Sequence, residues 1–318
     1  MRDAGLDCSH SQVCPQVYES ASCTNNATPS QGAGVVERVV ALLGGGRAGL
    51  VTDIDGTISP IVARPEEARV LPRAKQALER LKHTLTLVAV VSGRTVAEAR
   101  QMVGVDGLTY VGNHGLEIWS EHGAELVPEA RPWVPRLAAV VEQIRREYAE
   151  PGVLIENKGA TASLHYRLTA HPQRTRRELL EVLSRQAITS GLRIEEGRMV
   201  INLLPPLMVT KGSAVSWLVR RHQLDRVVYL GDDVTDAHAF RALSVLRDNG
   251  EARTLGIGVI APETPQSVRQ LADTCLHSVE QVADVLWRTV EALESGASME
   301  AGATTVGRDS HGQGRPVD

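Results

Sequence analysis

Residues 49–57, Gly-Leu-Val-Thr-Asp-Ile-Asp-Gly-Thr, set the fold class of this chain. Gly49–Thr52 is a short apolar run that breaks into Asp53-Ile54-Asp55-Gly56-Thr57. A run with no polar alternation reads as a strand buried on both faces, the habit of parallel sheets. Two carboxylates at i and i+2, released where such a strand ends, fall in the crevice where open α/β sheets bind ligands. One carboxylate can attack phosphorus and the other can shuttle a proton. A nearby Mg²⁺ would neutralise the crowded negative charge. The plainer alternative is an acidic turn with Gly56 in a left-handed conformation.

The segments on either side follow the same rhythm. Pro72–His83 reads as a helix opened by proline, with Ala74, Ala77, Leu78 and Leu81 on one face. Leu85–Val91 is nearly all apolar, Thr95–Val103 is helical, and Leu108–Gly112 is a further strand. Later, Lys211–Arg221, Val234–Leu243 and Val279–Leu293 read as helices, with strands at Arg226–Leu230 and Thr254–Ile260. Strand–helix alternation of this kind predicts an α/β fold with a doubly wound parallel sheet. Residues 113–206 break the rhythm with hairpins and two helices, Arg136–Tyr148 and Arg174–Gln186. They read as a smaller inserted α+β unit over the carboxyl edge of the sheet. The expected division is a core at 34–112 and 207–296, a cap at 113–206, and tails at 1–33 and 297–318. Gly112 and Pro205-Pro206 mark the expected crossings.

Composition excludes several function classes. The 318 residues carry 34 basic and 38 acidic side chains, a formal charge of -4. No basic footprint for nucleic acid is present, and aromatics at 3% leave no stacking platform for single strands. No apolar run is long enough to span a membrane, and the N-terminus has no signal-type apolar region. A cytoplasmic location is expected. Cys8, Cys14 and Cys23 match no zinc spacing and read as thiols in the first tail.

Three further pieces carry chemistry. Ser92-Gly93-Arg94 ends a strand, so the Ser92 hydroxyl and the backbone N–H groups from Gly93 onward can hold phosphate oxygens. Lys211, just after Pro205-Pro206, can neutralise phosphate as a point charge. Gly231-Asp232-Asp233-Val234-Thr235-Asp236 places three carboxylates in five residues, which is costly without a cation. Singly, each has a plain structural explanation: a helix cap, a surface lysine, an acidic helix start favoured by the dipole. In the inserted unit, Glu156, Lys158, His165 and Arg167 supply the donors and acceptors that a polyhydroxylated ligand needs.

Taken in order, Asp-x-Asp-x-Thr, Ser, Lys and Gly-Asp-Asp-x-x-Asp resemble the haloacid dehalogenase (HAD) superfamily, in its C2-capped branch, over roughly residues 47–290. DIDGTISPI (53–61), SGR (92–94), GNHG (112–115), Glu156-x-Lys158 with His165-Tyr166-Arg167, and GDDVTDAHAF (231–240) resemble the trehalose-phosphatase family more specifically. The resemblance implies a Mg²⁺-dependent phosphatase acting on trehalose 6-phosphate. It implies Asp53 as nucleophile and Asp55 as general acid and base. It places Mg²⁺ on Asp53, the Asp55 backbone carbonyl and Asp232, with Asp233 and Asp236 supporting. Ser92, Gly93 and Lys211 would hold the phosphoryl group. Glu156, Lys158, Arg167 and Asn202 would meet the sugar, with Arg94 and His114 at the seam between core and cap. A trehalose-6-phosphate synthase is the functional partner implied. Two departures stand out. Family members usually carry an acidic residue where Asn202 stands, often an arginine at Leu204, and commonly two acids where Ala237 and His238 stand. A different sugar phosphate as substrate, and a non-catalytic regulatory domain, are the alternatives.

Overall fold

The computed structural model describes residues 29–120 and 122–306. After helix α1 (Pro29–Leu43), strand β1 (Ala48–Thr52) is buried at all five positions. It runs parallel to β2 (Leu87–Val91) on one side, with Val51 opposite Ala89. Between them, α2 (Pro72–Thr84) starts at its proline and buries Ala74, Ala77, Leu78 and Leu81. α3 (Val96–Val103) then begins at Thr95, whose hydroxyl accepts from the Glu98 N–H while Glu98 reaches back, a reciprocal cap. β3 (Thr109–Gly112) adds in parallel to β2.

A tight turn at 113–115 reverses the chain. Asn113 and His114 both take positive φ, 49° and 59°, and Gly115 follows at 109°. A β-carbon on Gly115 would come within 2.9 Å of the Thr210 carbonyl. The chain returns as β4 (Glu117–Ser120), antiparallel to β3, and β5 (Gly123–Leu126) completes the hairpin. The hairpin thus extends the large sheet instead of opening the insert at residue 113. Hairpin alternation reads the same whichever sheet it joins, so the sequence alone cannot place it. The crossing to the smaller unit falls after Leu126.

That unit comprises α4 (Val134–Glu147), β6 (Leu154–Asn157), β7 (Ala162–His165), α5 (Pro172–Ser190), β8 (Arg193–Gly197) and β9 (Val200–Leu204). Its strands form an antiparallel sheet in the order β6-β7-β9-β8. Ala162, Leu164, Ile201 and Leu203 join Leu137, Val141 and Ile144 of α4 and Leu179 and Leu183 of α5 in a separate hydrophobic core. Because strand side chains alternate, Ser163, His165 and Asn202 fall on the other face.

The chain re-enters the large sheet through α6 (Lys211–Arg221) and β10 (Arg226–Gly231), which pairs with β1 on the side away from β2. α7 (Val234–Asp248), β11 (Arg253–Val259), α8 (Gln266–Leu271), β12 (Thr274–Leu276) and α9 (Val279–Val306) follow. The eight-stranded order is β12-β11-β10-β1-β2-β3-β4-β5. Leu50, Val88, Val90, Val228 and Leu230 face α1, α2, α3 and α9. Val51, Leu87, Ala89, Val227 and Tyr229 face α6, α7 and α8. The doubly wound α/β core with an inserted α+β cap is therefore present. Residues 29–33 and 297–306, expected in tails, are helical. Helix α1 packs against α9. Cys8, Cys14 and Cys23 lie outside the described residues. No described helix is long and apolar enough to cross a membrane.

Candidate active site

The chain winds outward to both sides of β1, so the carboxyl ends of β1, β2 and β10 open onto one crevice, the topological switch point. Asp53 and Asp55 leave β1, Ser92 leaves β2, and Asp232 and Asp233 leave β10. The polar face of the cap sheet closes the crevice from above. Together they form the walls of one cleft. Asp53, Asp55, Ser92, Gly93, Arg94, His114, Glu156, Lys158, Arg167, Asn202, Lys211, Asp232 and Asp233 all line it.

Asp53 is buried at the floor, and the Lys211 ammonium lies 3.0 Å from its Oδ1. Lys211 is the first residue of α6, whose N-cap Thr210 and Ser213 satisfy each other's backbone. The same ammonium donates to Asp236 Oδ1 at 2.8 Å. Burial acts to lower the Lys211 pKa, but Asp236 and Asp53 more than offset it, so the lysine stays charged. Burial, with Asp236 and Asp55 nearby, pushes the Asp53 carboxyl up to about 7 against the pull of Lys211.

Asp236 does not line the cleft. It sits beneath it and is fully buried. Its Oδ1 accepts from Tyr229 Oη at 2.5 Å and from Lys211, and its Oδ2 accepts from the Asp232 and Asp233 N–H groups at 3.0 Å. Asp236 thereby fixes the loop that presents Asp232. Tyr229 was not legible as a site residue, because a strand tyrosine reads as core.

One carboxylate oxygen from each of Asp53, Asp232 and Asp236 lies within 4.8 Å of the others. Asp232 Oδ1 and Asp233 Oδ1 are buried without a hydrogen-bond partner. Burial and the neighbouring carboxylates raise the Asp232 pKa well above its usual range, and Asp233 shifts the same way. Gly56 leaves the approach clear, since a β-carbon there would meet Asp232 Oδ2 at 2.1 Å. Hard oxygens, orphaned acceptors and excess negative charge fit a divalent cation.

Arg94 grips Asp55 with both arms, Nε to Oδ2 at 2.6 Å and Nη2 to Oδ1 at 2.7 Å. His114 is buried with neither ring nitrogen hydrogen-bonded. Burial first, then Lys158 and Lys211, lowers its pKa well below the usual value, so the ring is neutral. It packs directly on Gly93, where a β-carbon would lie 2.5 Å from the ring.

On the cap side, Lys158 donates to Ser163 Oγ at 2.8 Å, and Ser163 donates to Asn202 Oδ1 at 2.7 Å. Lys158 also donates to the Gly93 carbonyl at 3.1 Å, bridging cap and core. His165 Nε2 meets Glu156 Oε2 at 3.0 Å. Arg167 donates to the Arg198 carbonyl at 3.1 Å. Ser163 and Arg198 line the cleft as well. Nothing in the sequence singles them out: a serine on an alternating strand and an arginine at a hairpin turn both read as surface.

Burial works to raise the Glu156 pKa, but the His165 hydrogen bond and the Lys158 charge override it and hold the carboxyl down to about 2. A carboxyl depressed on folding stabilises above its unfolded pKa, and the gain is lost as pH falls through the folded value. The difference in melting temperature between the native chain and Glu156→Gln is thus expected to narrow from about pH 4.5 towards pH 2. Thermal unfolding across that range checks it; a constant gap would contradict the paired carboxylate.

The family model for trehalose-phosphatase matches residues 51–267. A trehalose-phosphate phosphatase of Mycobacterium marinum is 32% identical over 237 residues, covering 70% of this chain and 60% of that protein. An uncharacterized glycosyl hydrolase of Mycobacterium tuberculosis is 33% identical over 251 residues, covering 76% of this chain but 18% of its own length. The chain thus spans three fifths or less of these curated relatives. Among solved structures, the C-terminal domain of Candida albicans trehalose-6-phosphate phosphatase superposes with a TM-score of 0.69 at 21% identity, covering 84% of this chain and 99% of that one. A trehalose-6-phosphate phosphatase related protein gives 0.61 at 23% identity, covering 78% and 99%. These two share the fold. The family match runs from β1, which delivers Asp53, through Lys211 and the β10 loop into α8, and by that match the chain belongs to the trehalose-phosphatase family.

Proposed function

We propose that this chain is a Mg²⁺-dependent phosphatase that hydrolyses trehalose 6-phosphate to trehalose and phosphate. One observation carries the reading. A single cleft has an ammonium-paired aspartate on its floor and a hydroxyl-matching row, Glu156, Lys158, Ser163 and Asn202, on its roof. The floor suits a phosphoryl group and the roof suits a sugar.

Asp53 attacks phosphorus, forming a P–O bond as the bond to the sugar oxygen breaks. Asp55 gives its proton to that leaving oxygen. Water then attacks the aspartyl-phosphate, Asp55 takes the water proton, and the Asp53 carboxylate is restored. Lys211, Ser92 Oγ and the Gly93 backbone hold the phosphoryl oxygens. Such clamping is the main demand of phosphoryl transfer. Arg94 holds Asp55 as the carboxylate, ready to take a proton from water, and Asp55 leaves that grip when it carries the proton it gives. Asp53, the Asp55 carbonyl and Asp232 would hold Mg²⁺, which offsets the charge on the transferring group. Asp233 and Asp236 support that loop. The core and cap act as catalytic and sugar-binding units, and closure between them excludes water. The substrate implies a sugar-phosphate synthase upstream and a cytoplasmic setting.

Asn202 favours a second substrate within the same chemistry, since it offers the sugar no charge. The test is phosphate release from trehalose 6-phosphate beside other disaccharide and monosaccharide phosphates, with Mg²⁺ and with EDTA. Trehalose 6-phosphate is expected to turn over fastest, and EDTA to remove the activity. A faster rate on another sugar phosphate would move the substrate assignment. Turnover that survives EDTA would remove the metal from the reading.

A further inference from the structure

The turn between β8 and β9 carries the cap onto the loop after β10. At its tip, Arg198 Nη1 donates to Asp232 Oδ2 at 2.5 Å, and Nη2 donates to Glu263 Oε2 at 2.9 Å. The Arg198 N–H points at Asp233 Oδ2 at 3.4 Å. The neighbouring Gly197 lies so close that a β-carbon there would fall 2.6 Å from the same oxygen. Met199 completes the turn with φ at 60°. Arg167 holds the tip from behind through the Arg198 carbonyl.

The docking is incomplete. Arg198 Nε, Asp232 Oδ1 and Asp233 Oδ1 are all buried and unpaired. A buried polar group left without a partner is costly. The guanidinium therefore neutralises Asp232 without saturating it. A divalent cation would be attracted to the same carboxylate and repelled by the arginine. Glu263 offers an alternative seat, because it is two-thirds exposed and already holds the other arm.

We infer that Arg198 is a positioning residue that docks the cap on Asp232 and gives up that carboxylate when a divalent cation binds. Cap docking and cation binding then compete for one carboxylate. By linkage, docking weakens cation binding by the same factor that the cation loosens docking. Arg198 would pivot towards Glu263, leaving the hairpin tip near the core but no longer latched on Asp232. Metal occupancy and cap position are coupled through this one side chain. The inference rests on the cation site proposed above.

The test is Mn²⁺ binding to metal-free protein, followed by electron paramagnetic resonance with no sugar phosphate present. Four proteins are compared: the native chain, Arg198→Ala, Arg198→Met and Asp232→Asn. Arg198→Met keeps the packing of the stem and serves should alanine unsettle the hairpin. Removing the guanidinium is expected to tighten Mn²⁺ binding about ten-fold, within the usual span of coupling between linked sites. A merely structural arginine predicts unchanged or weaker binding. That result in Arg198→Met, with Asp232→Asn binding lost, would overturn the latch and leave the cation site standing. Mn²⁺ bound by Asp232→Asn as tightly as by the native chain would overturn the cation site itself.

Discussion

Asp53→Asn is expected to release no phosphate from trehalose 6-phosphate above a protein-free blank. The amide is the same size, so it can occupy the floor of the cleft, and Lys211 keeps Asp236 as a partner at 2.8 Å. What changes is nucleophilicity: a neutral amide oxygen does not attack phosphorus to make a hydrolysable acyl phosphate. Removing the nucleophile of a covalent mechanism costs on the order of 10⁴–10⁶ in kcat. Phosphate release by protein of verified intact mass measures the loss. Acid quenching of the native enzyme during turnover should trap phosphate on Asp53, and the variant should trap none. Turnover within a hundred-fold of native would mean that water attacks directly and that Asp53 serves only the cation or the fold.

The second large effect concerns stability. Lys211 is buried between two carboxylates, 3.0 Å from Asp53 and 2.8 Å from Asp236. Lys211→Met keeps the length of the side chain but strands both negative charges in the interior. Breaking a buried pair by removing one partner costs roughly 3–5 kcal/mol. For a chain of this size each kcal/mol moves the melting temperature by about 1.5 °C. A fall of roughly 5–8 °C is therefore expected in thermal unfolding at neutral pH in EDTA. Added Mg²⁺ should recover part of it, because a cation at the carboxylates replaces the missing charge. A melting temperature within 2 °C of native would show that Lys211 does not carry the charge balance of the floor. On the proposed mechanism Lys211→Met should also lose phosphatase activity, since the ammonium lies 3.0 Å from Asp53 and would meet the phosphoryl oxygens.

Most of the large sheet was legible because its strands are buried on both faces and read as unbroken apolar runs. β1, β2 and β10 are each followed directly by a polar residue at the switch point, which is why Asp53, Ser92 and Asp232 could be read as one site. The helices between them followed from proline, capping residues and the spacing of apolar positions, as in α2 and α3. The hairpin β4–β5 was legible as a hairpin but not as part of the large sheet. Its attachment depends on the left-handed pair Asn113-His114 folding β4 back onto β3. The described ends, α1 from Pro29 and α9 to Val306, reach further than polar composition suggested.

By itself the sequence determined the α/β class, the inserted unit, and the carboxylates, serine and lysine of the floor. Those follow from local period and from the positions at which strands end, which are properties of short stretches. Tertiary structure alone decided that Asp236 works beneath the cleft with Tyr229, and that Arg94 clamps Asp55. It alone carried Arg198 from a hairpin turn to Asp232, 34 residues away in the chain. Such contacts depend on how the cap sheet is set over the core, and hydrophobic patterning specifies which face of a strand is buried but not what its polar face meets.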